Sequence, residues 1–488
     1  MEAEQKIIAF RALQSSEEPP LCIDLDDTLV KTDTLLESML LLLKKKPVYV
    51  LLMPLWLLKG KSYLKQQIAQ RVVLNVALLP YHSALLDYLM VQWRSGRKIL
   101  LTTAADTSIA NQIAAHLGIF HAVLATNGTS NLAGRAKLRE IQNYLGSSEF
   151  VYAGNAKVDL PIWRTSKRAI IVNAPDRLVQ TVSKVANVSH LFKEENNRLR
   201  RFISAIRPHQ WVKNALVFIP LAAGHQIINP DRLLAAVLAF VAFSLCSSGV
   251  YLLNDLLDLE ADRLHSSKQH RPFACGDLPV KVGLLVFPLF VFAGIGLSLL
   301  LPFGFTTVLC AYFALTLAYS FYVKRIVILD VMLLALLYTL RMVAGGVATN
   351  IHITNWLLVF SMFFFLSLAL LKRYSELHAT VRCAKETDQS RGYSTSDIDQ
   401  LASMGSASGY ITALVLGLYI NSEDVKSLYA YPELLWLICP LILYWISRAW
   451  LIARRGAMDD DPVVFAVRDR ASYLVGTLAA IIILLAIG

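Results

Sequence analysis

The chain has 488 residues, 55% of them hydrophobic and 17% charged, with a mean hydropathy of +0.49 and a net charge of +11. An ordinary soluble domain is about 45–50% apolar and about 25% charged, so these figures exclude a disordered chain, a collagen and a small disulfide scaffold. The length exceeds the roughly 100–200 residues of one domain, and the apolar excess is concentrated after residue 213, so a mixed, charged N-terminal half precedes a membrane half.

In a membrane protein, surplus Lys and Arg collects on cytoplasmic loops, so the positive charge points to topology and not to nucleic acid. The six cysteines, Cys22, Cys246, Cys275, Cys310, Cys383 and Cys439, contain no CxxC pair and suggest neither a disulfide framework nor a zinc site. The first twenty residues carry acids and no apolar stretch. They do not read as a signal peptide, and the N-terminal domain is expected to start in the cytoplasm.

Short apolar runs at 21–23 and 99–101 each lead to a polar tip, with helix-like segments between and after them, which is the punctuation of an α/β fold. Residues 38–61 are apolar but broken by Lys44, Lys45, Lys46 and two prolines. Neither half reaches the roughly 20 residues needed to span a bilayer, so the segment is expected to be a cap or a helix lying on the membrane. The polar stretch from Ser183 to Arg201 has linker composition, and the boundary falls near residue 195.

In LCIDLDDTLV, Asp24 and Asp26 stand two apart at a strand end, where alternation points them the same way. Such a pair can hold Mg²⁺ and let one carboxylate attack phosphorus, although Asp-Asp is also a common turn pair. The order of motifs that follows resembles the haloacid dehalogenase (HAD) phosphatase superfamily: Asp24, Asp26 and Thr28 match DxDxT, followed by Thr103 in KILLTTAAD, Lys137 in LAGRAKL, and Asp159 in GNAKVD. The resemblance implies a Rossmann-type sheet over residues 1–195 with a cap near 38–85. It makes Asp24 the nucleophile, Asp26 the general acid/base, Thr103 and Lys137 phosphate ligands, and Asp159 part of the metal site. The usual GDxxxD reads here with Asn155 in place of the first acid, and an amide offers the metal an oxygen without charge.

In the second half, apolar segments near 214–229, 232–253, 282–301, 303–322, 327–349, 354–371, 409–421, 432–450 and 472–487 predict about nine spans. The basic loops 207–213, 263–281, 324–325, 372–391 and 454–470 are expected on the cytoplasmic side, with Gly488 outside. If the span before it continues as one helix, Asn254, Asp255, Asp258 and Asp262 crowd one face. Acids at membrane depth are costly and tend to mark function, and Mg²⁺ bearing a pyrophosphate is the counter-charge that suits them. Lys268, His270 and Arg271 follow on the same loop, placed to meet phosphate oxygens.

This pattern, NDxxDxxxD, resembles that of the UbiA superfamily of intramembrane prenyltransferases, an all-α polytopic bundle, and residues 196–488 would form it. The family's second pattern, DxxxD, is replaced by KRYSELHATVR with Lys372, Arg373 and Glu376. With RPHQWVKN, YSFYVKR and LRMVAGGVAT, this half is similar to the decaprenyl-phosphate phosphoribosyltransferase branch. That resemblance implies a polyprenyl phosphate acceptor, 5-phosphoribosyl 1-pyrophosphate (PRPP) as donor and Mg²⁺ as cofactor. Asn254, Asp255, Asp258 and Asp262 would hold metal and pyrophosphate, Asp258 being central to catalysis. Lys324, Arg325, Lys372 and Arg373 would hold the sugar phosphate or leaving group, Lys268, Arg271, Tyr319, Arg341 and Glu376 would also bind substrate, and Arg207, Gln210, Lys213 and Asn214 would meet the acceptor phosphate.

Asp459, Asp460 and Asp461 beside Arg454 and Arg455 read as a solvated loop or a second metal site, and Gly345 and Gly346 as close helix packing or a channel for a substrate tail. None of the ten histidines pairs with another at metal-ligand spacing. The reading is a bifunctional enzyme of a bacterial-type inner membrane, with its HAD domain and active-site loops cytoplasmic. The membrane half makes polyprenyl-phosphoryl ribose 5-phosphate and the HAD domain removes the 5-phosphate. The alternatives are prenyl transfer to an aromatic acceptor and, in another class, a transporter with a regulatory HAD-like domain.

Overall fold

The computed structural model describes residues 18–128, 131–146, 149–194, 197–265, 267–382, 392–426, 428–458 and 462–487. By their contacts they fall into two compact units, one reaching to Ile206 and also containing Leu252–Val286, the other made of Arg207–Tyr251 and everything from Phe287 on.

In the first unit the apolar runs become six parallel strands: β1 (Leu21–Ile23), β2 (Ile99–Asp106), β3 (Ala122–Thr126), β4 (Val151–Gly154), β5 (Arg168–Val172) and β6 (Val188–Phe192). Their order is β3-β2-β1-β4-β5-β6, with Leu21 opposite both Ile99 and Val151. A parallel sheet is covered on both faces, so its strands read as continuous apolar runs, and β1 and β4 are buried throughout. Alternate residues serve two cores. Leu21, Ile23, Ile99 and Leu101 pack in one, and Cys22, Leu100, Tyr152 and Trp163 in the other.

The long β1–β2 crossover, where a cap was expected, holds helix α1 (Thr34–Lys45). Asp33 caps α1 by accepting from the Leu36 amide at 3.2 Å, and Lys44 and Lys45 sit in the last turn, where their charge suits the helix dipole. Beyond it, 47–58 buries Met53 and Trp56 in the core while Val48, Leu51, Leu55 and Leu58 remain exposed.

Among the described residues, eight helices are long and apolar enough to cross a membrane: Pro230–Leu257, Val280–Ser298, Phe303–Phe321, Leu329–Thr349, Asn355–Ala379, Thr395–Ile420, Pro432–Arg454 and Arg470–Ile487. The expectation of about nine is corrected at 214–229. That stretch falls in a 3₁₀ helix over Pro208–Phe218 and a five-residue helix over Ile219–Ala223 that ends at Gly224, so no long α-helix forms there. The expectation that Gly488 lies outside rested on nine spans, and among the described residues eight candidates are present.

The second unit packs tightly at its glycines. A methyl at Gly345 would stand 2.0 Å from the Val217 carbonyl oxygen, and one at Gly405 would stand 2.1 Å from the Trp450 ring. Gly345 therefore serves close packing.

Candidate active site

The strand order reverses beside β1, and in such sheets ligands bind at the carboxyl ends of the strands on either side of that reversal. Asp24 follows β1 directly, Thr103 lies in β2, and Asn155 follows β4. Thr103 was expected at the end of its strand, but β2 runs on to Asp106, with a shift of register after Thr102.

Lys137, on helix α2 (Arg135–Leu145), donates to Asp24 Oδ1 at 2.8 Å and to the Tyr152 hydroxyl at 3.1 Å. Tyr152 in turn donates to Asp159 Oδ1 at 2.9 Å. Asp24 also accepts from the Leu25 amide at 2.9 Å, and Asp26 Oδ1 accepts from the Thr34 amide at 2.8 Å. Burial pushes the Asp24 carboxyl up to about 6, against the pull of Lys137. Burial, with Asp33 nearby, pushes Asp26 up to about 7. For Lys137, burial favours the neutral amine, but the carboxylates of Asp24 and Asp159 more than offset it and hold the ammonium above its ordinary value.

Asp24 and Asp26 are hard oxygen donors, each with Oδ2 outside the bonds named above. Mg²⁺ needs one or two carboxylates, completing its shell with water and substrate phosphate, so this donor set fits the ion. Asp159 is turned inward. It is fully buried, with Oδ2 accepting from the amides of Asn155 and Ala156 at 3.3 and 3.1 Å. Its oxygens shape the loop, and Asn155 is half-buried. Thr103 is buried and its Oγ1 accepts from the Ala105 amide at 2.9 Å.

The acidic motif of the second resemblance also lies in the first unit. The expectation that its four residues crowd one helical face is corrected. Helix α3 (Pro230–Leu257) stops before Asp258, which becomes the cap residue of a short helix α4 (Leu259–Leu264). Arg271 Nη1 draws together Asp255 Oδ1 at 3.0 Å and Asp262 Oδ2 at 2.7 Å, while Asp258 Oδ1 accepts from Lys44 Nζ at 2.7 Å. Burial raises the Asp262 carboxyl, with Arg271 opposing. Among the described residues no three His, Cys, Asp or Glu side chains form a metal cluster. Three acids answered by two cations are nonetheless a donor set that suits Mg²⁺ carrying a phosphate. Asn254 lies one residue before Asp255, on α3, and Lys268 opens a 3₁₀ turn over Lys268–His270.

The remaining expected residues lie in the second unit, where two buried polar groups form. In one, Arg341 donates through Nε to Asn214 Oδ1 at 2.9 Å and through Nη2 to the Tyr312 hydroxyl at 2.8 Å, and Asn214 donates to Ser244 at 3.1 Å. Lys213 is buried, and Arg207, at φ 52°, stacks over the Tyr251 ring. Gln210 is half-buried, its amide bonded to the Arg207 carbonyl. In the other group, Arg373 pairs with Asp330 at 2.6 Å and with Glu376, and reaches the Tyr319 hydroxyl at 3.4 Å. Lys324 and Arg325 form a 3₁₀ turn after Phe303–Phe321, and Lys372 is half-buried. Asp459, Asp460 and Asp461 lie outside the described residues.

Sequence reasoning missed Glu37, Tyr152, Arg263, Tyr312, Asp330 and Tyr393. Asp330 and Glu37 carried a visible signal, each being a lone acid in the first turn of an apolar helix. Tyr393, which donates to Asp330 at 2.6 Å, carried none.

The UbiA prenyltransferase family model matches residues 215–468. The uncharacterized protein y4nM of Sinorhizobium fredii is 37% identical over 465 residues, covering 94% of this chain and 90% of that protein. The decaprenyl-phosphate phosphoribosyltransferase of Mycolicibacterium smegmatis is 31% identical over 298 residues, covering 59% of this chain and 93% of that enzyme. A solved UbiA homolog from Archaeoglobus fulgidus bound to GPP and Mg²⁺ gives a TM-score of 0.45 at 16% identity, covering 58% of this chain and 99% of that one.

Proposed function

Because the chain belongs to the UbiA prenyltransferase family, we propose that it is a Mg²⁺-dependent membrane transferase that moves the 5-phosphoribosyl group of PRPP onto a polyprenyl phosphate. The observation that carries this reading is the acidic motif Asn254–Asp262 in a chain whose membrane half is similar to a decaprenyl-phosphate phosphoribosyltransferase over 93% of that enzyme. Lys372, standing where a second acidic motif is usual, favours a donor with extra phosphate over an aromatic-accepting prenyl transfer, whereas the charge of Arg373 is met by Asp330 and Glu376.

In the reaction, an oxygen of the lipid phosphate bonds to C1 of the ribose as the bond from C1 to pyrophosphate breaks, so no protein nucleophile is needed. Asp255, Asp258 and Asp262 would hold Mg²⁺, which when bound neutralises the departing pyrophosphate. Arg271 and Lys268 supply further positive charge on the same loop. The protein would sit in a bacterial inner membrane with its acidic loop on the cytoplasmic side, where PRPP is available.

The α/β unit, on this reading, is a HAD-like phosphatase that removes the 5-phosphate from the lipid product. Asp24 attacks phosphorus, Asp26 protonates the departing O5, and water then cleaves the phosphoaspartate. Lys137 offsets the charge on both the nucleophile and the phosphate. The exposed apolar side chains of 47–58, flanked by Lys44–Lys46 and Lys59, suit a substrate held at a membrane surface. The two halves also occur together in y4nM, which this chain matches over 94% of its length.

The test uses full-length protein in native membranes. Asp258→Asn should abolish phosphoribosyl transfer while leaving hydrolysis of a soluble phosphate ester intact, and Asp24→Asn should leave transfer intact and accumulate the 5-phosphorylated lipid. Loss of both activities in either variant contradicts two separate sites.

A further inference from the structure

Within the first unit, one helix touches both carboxylate groups. α1 begins beside Asp26, which accepts the Thr34 amide at 2.8 Å, and ends at Lys44, whose Nζ meets Asp258 Oδ1 at 2.7 Å. Between them Glu37 forms a two-pronged pair with Arg263, Nη1 to Oε2 at 2.9 Å and Nη2 to Oε1 at 2.5 Å. This pair is closed to solvent, with the Arg263 and Glu37 side chains 6% and 3% exposed. Arg263 also donates through Nε to the Ala274 carbonyl at 2.9 Å.

Glu37 and Lys44 are two helical turns apart and so share a face, about 10 Å from end to end. Their partners occur in the opposite order, Arg263 with the first and Asp258 with the second, so α1 lies antiparallel along residues 258–263. Close backbone approach extends the seam: a methyl at Gly276 would stand 2.5 Å from Lys31 Cβ. Lys281 Nζ reaches Asp27 at 3.1 Å and Asp33 at 3.4 Å, just before α1 begins.

Arg263 adjoins Asp262 in sequence and lies five residues from Asp258. A buried guanidinium that loses its partner takes another acid, because leaving the charge uncompensated is costly. Planar, bidentate pairing with Glu37 holds Arg263 to a fixed direction and away from the motif.

We propose that Glu37 is a positioning residue for the acidic motif: through Arg263 it fixes the turn that presents Asp258 and Asp262, so the α/β unit sets the geometry of the transferase whether or not it hydrolyses phosphate. This rests on reading that motif as a Mg²⁺–pyrophosphate site. A role for the soluble unit in the membrane reaction follows from it, independent of any passage of product from one site to the other.

The test is calorimetric titration of Mg²⁺–pyrophosphate into purified full-length protein, with the binding lost in Asp258→Asn assigned to the motif. Glu37→Gln should raise Kd tenfold or more at unchanged stoichiometry, and the double exchange Glu37→Arg with Arg263→Glu should return Kd to within about threefold of wild type, a factor of three being about 0.65 kcal/mol. Misfolding lowers stoichiometry and leaves the Kd of the remaining sites alone, so an unchanged Kd, or a fall in stoichiometry only, overturns the proposal. If Glu37→Gln does not accumulate, Glu37→Asp decides by the same criterion, since it keeps the charge but shortens the reach. Wild-type protein that binds no Mg²⁺–pyrophosphate overturns the transferase reading itself, and the inference with it.

Discussion

Lys44 Nζ lies 2.7 Å from Asp258 Oδ1, a cation resting on the central acid of the NDxxDxxxD motif. A metal ion that takes this carboxylate competes with the ammonium for it. The side chains are 27% and 26% exposed, so solvent screens the pair and it is worth about 1 kcal/mol or less. Lys44→Met should therefore lower the Mg²⁺ concentration that half-saturates transfer by a few-fold, up to about fivefold, since about 1.4 kcal/mol corresponds to tenfold. An unchanged or higher requirement contradicts Lys44 as a displaceable counter-ion.

Asp24 and Asp26 titrate near 6 and 7, both raised chiefly by burial. In the unfolded chain an Asp titrates near about 3.9, so between about pH 4 and 7 the native protein keeps protons that the unfolded chain has lost. Stability contributed by these two groups therefore falls as pH rises through that window. Asp26→Asn removes one of them. Thermal unfolding of the full chain in detergent should show a flatter decline from pH 5 to 8 for the variant, with a higher Tm than wild type at pH 8. A wild-type-like slope contradicts the assignment.

Asn155 stands where a carboxylate would add charge to the metal's surroundings, directly after β4. Asn155→Asp should raise phosphate-ester hydrolysis several-fold at subsaturating Mg²⁺, and less at saturation, because the gain is in metal affinity. The same variant without Mg²⁺ should be less stable than wild type, with another acid near Asp24 and Asp26. A lower rate at subsaturating Mg²⁺ would show that the amide at 155 is itself required.

Short-range pattern made much of this legible. The tip of β1 with Asp24 and Asp26, the order of Thr103, Lys137 and Asn155 around the sheet, and eight apolar helices follow from runs and spacings that local chemistry fixes. What hydropathy could not resolve was 214–229, whose apolar content suits a span while the chain there divides between a 3₁₀ helix and a five-residue helix ending at Gly224. The turn at Asp258 escaped for a different reason. A helix continued to Asp262 would satisfy the local pattern, but Lys44 and Arg271 draw Asp258 and Asp262 to different partners. Glu37 and Arg263 lie 226 residues apart, and only the folded chain joins them. Arg373 looked from sequence like an open phosphate ligand, and its pairing with Asp330 depends on packing between helices of the second unit.

The central claim is that ribose from PRPP enters lipid. Membranes containing the protein are incubated with Mg²⁺, a polyprenyl phosphate and PRPP labelled in the ribose, then extracted with organic solvent. The account predicts label in the lipid fraction that depends on Mg²⁺ and on Asp258, carried as polyprenyl-phosphoryl ribose by wild type and as its 5-phosphate by Asp24→Asn. Absence of label from lipid, with a prenyl diphosphate reacting instead with an aromatic acceptor in the same membranes, would contradict the phosphoribosyl assignment and leave only membership of the family.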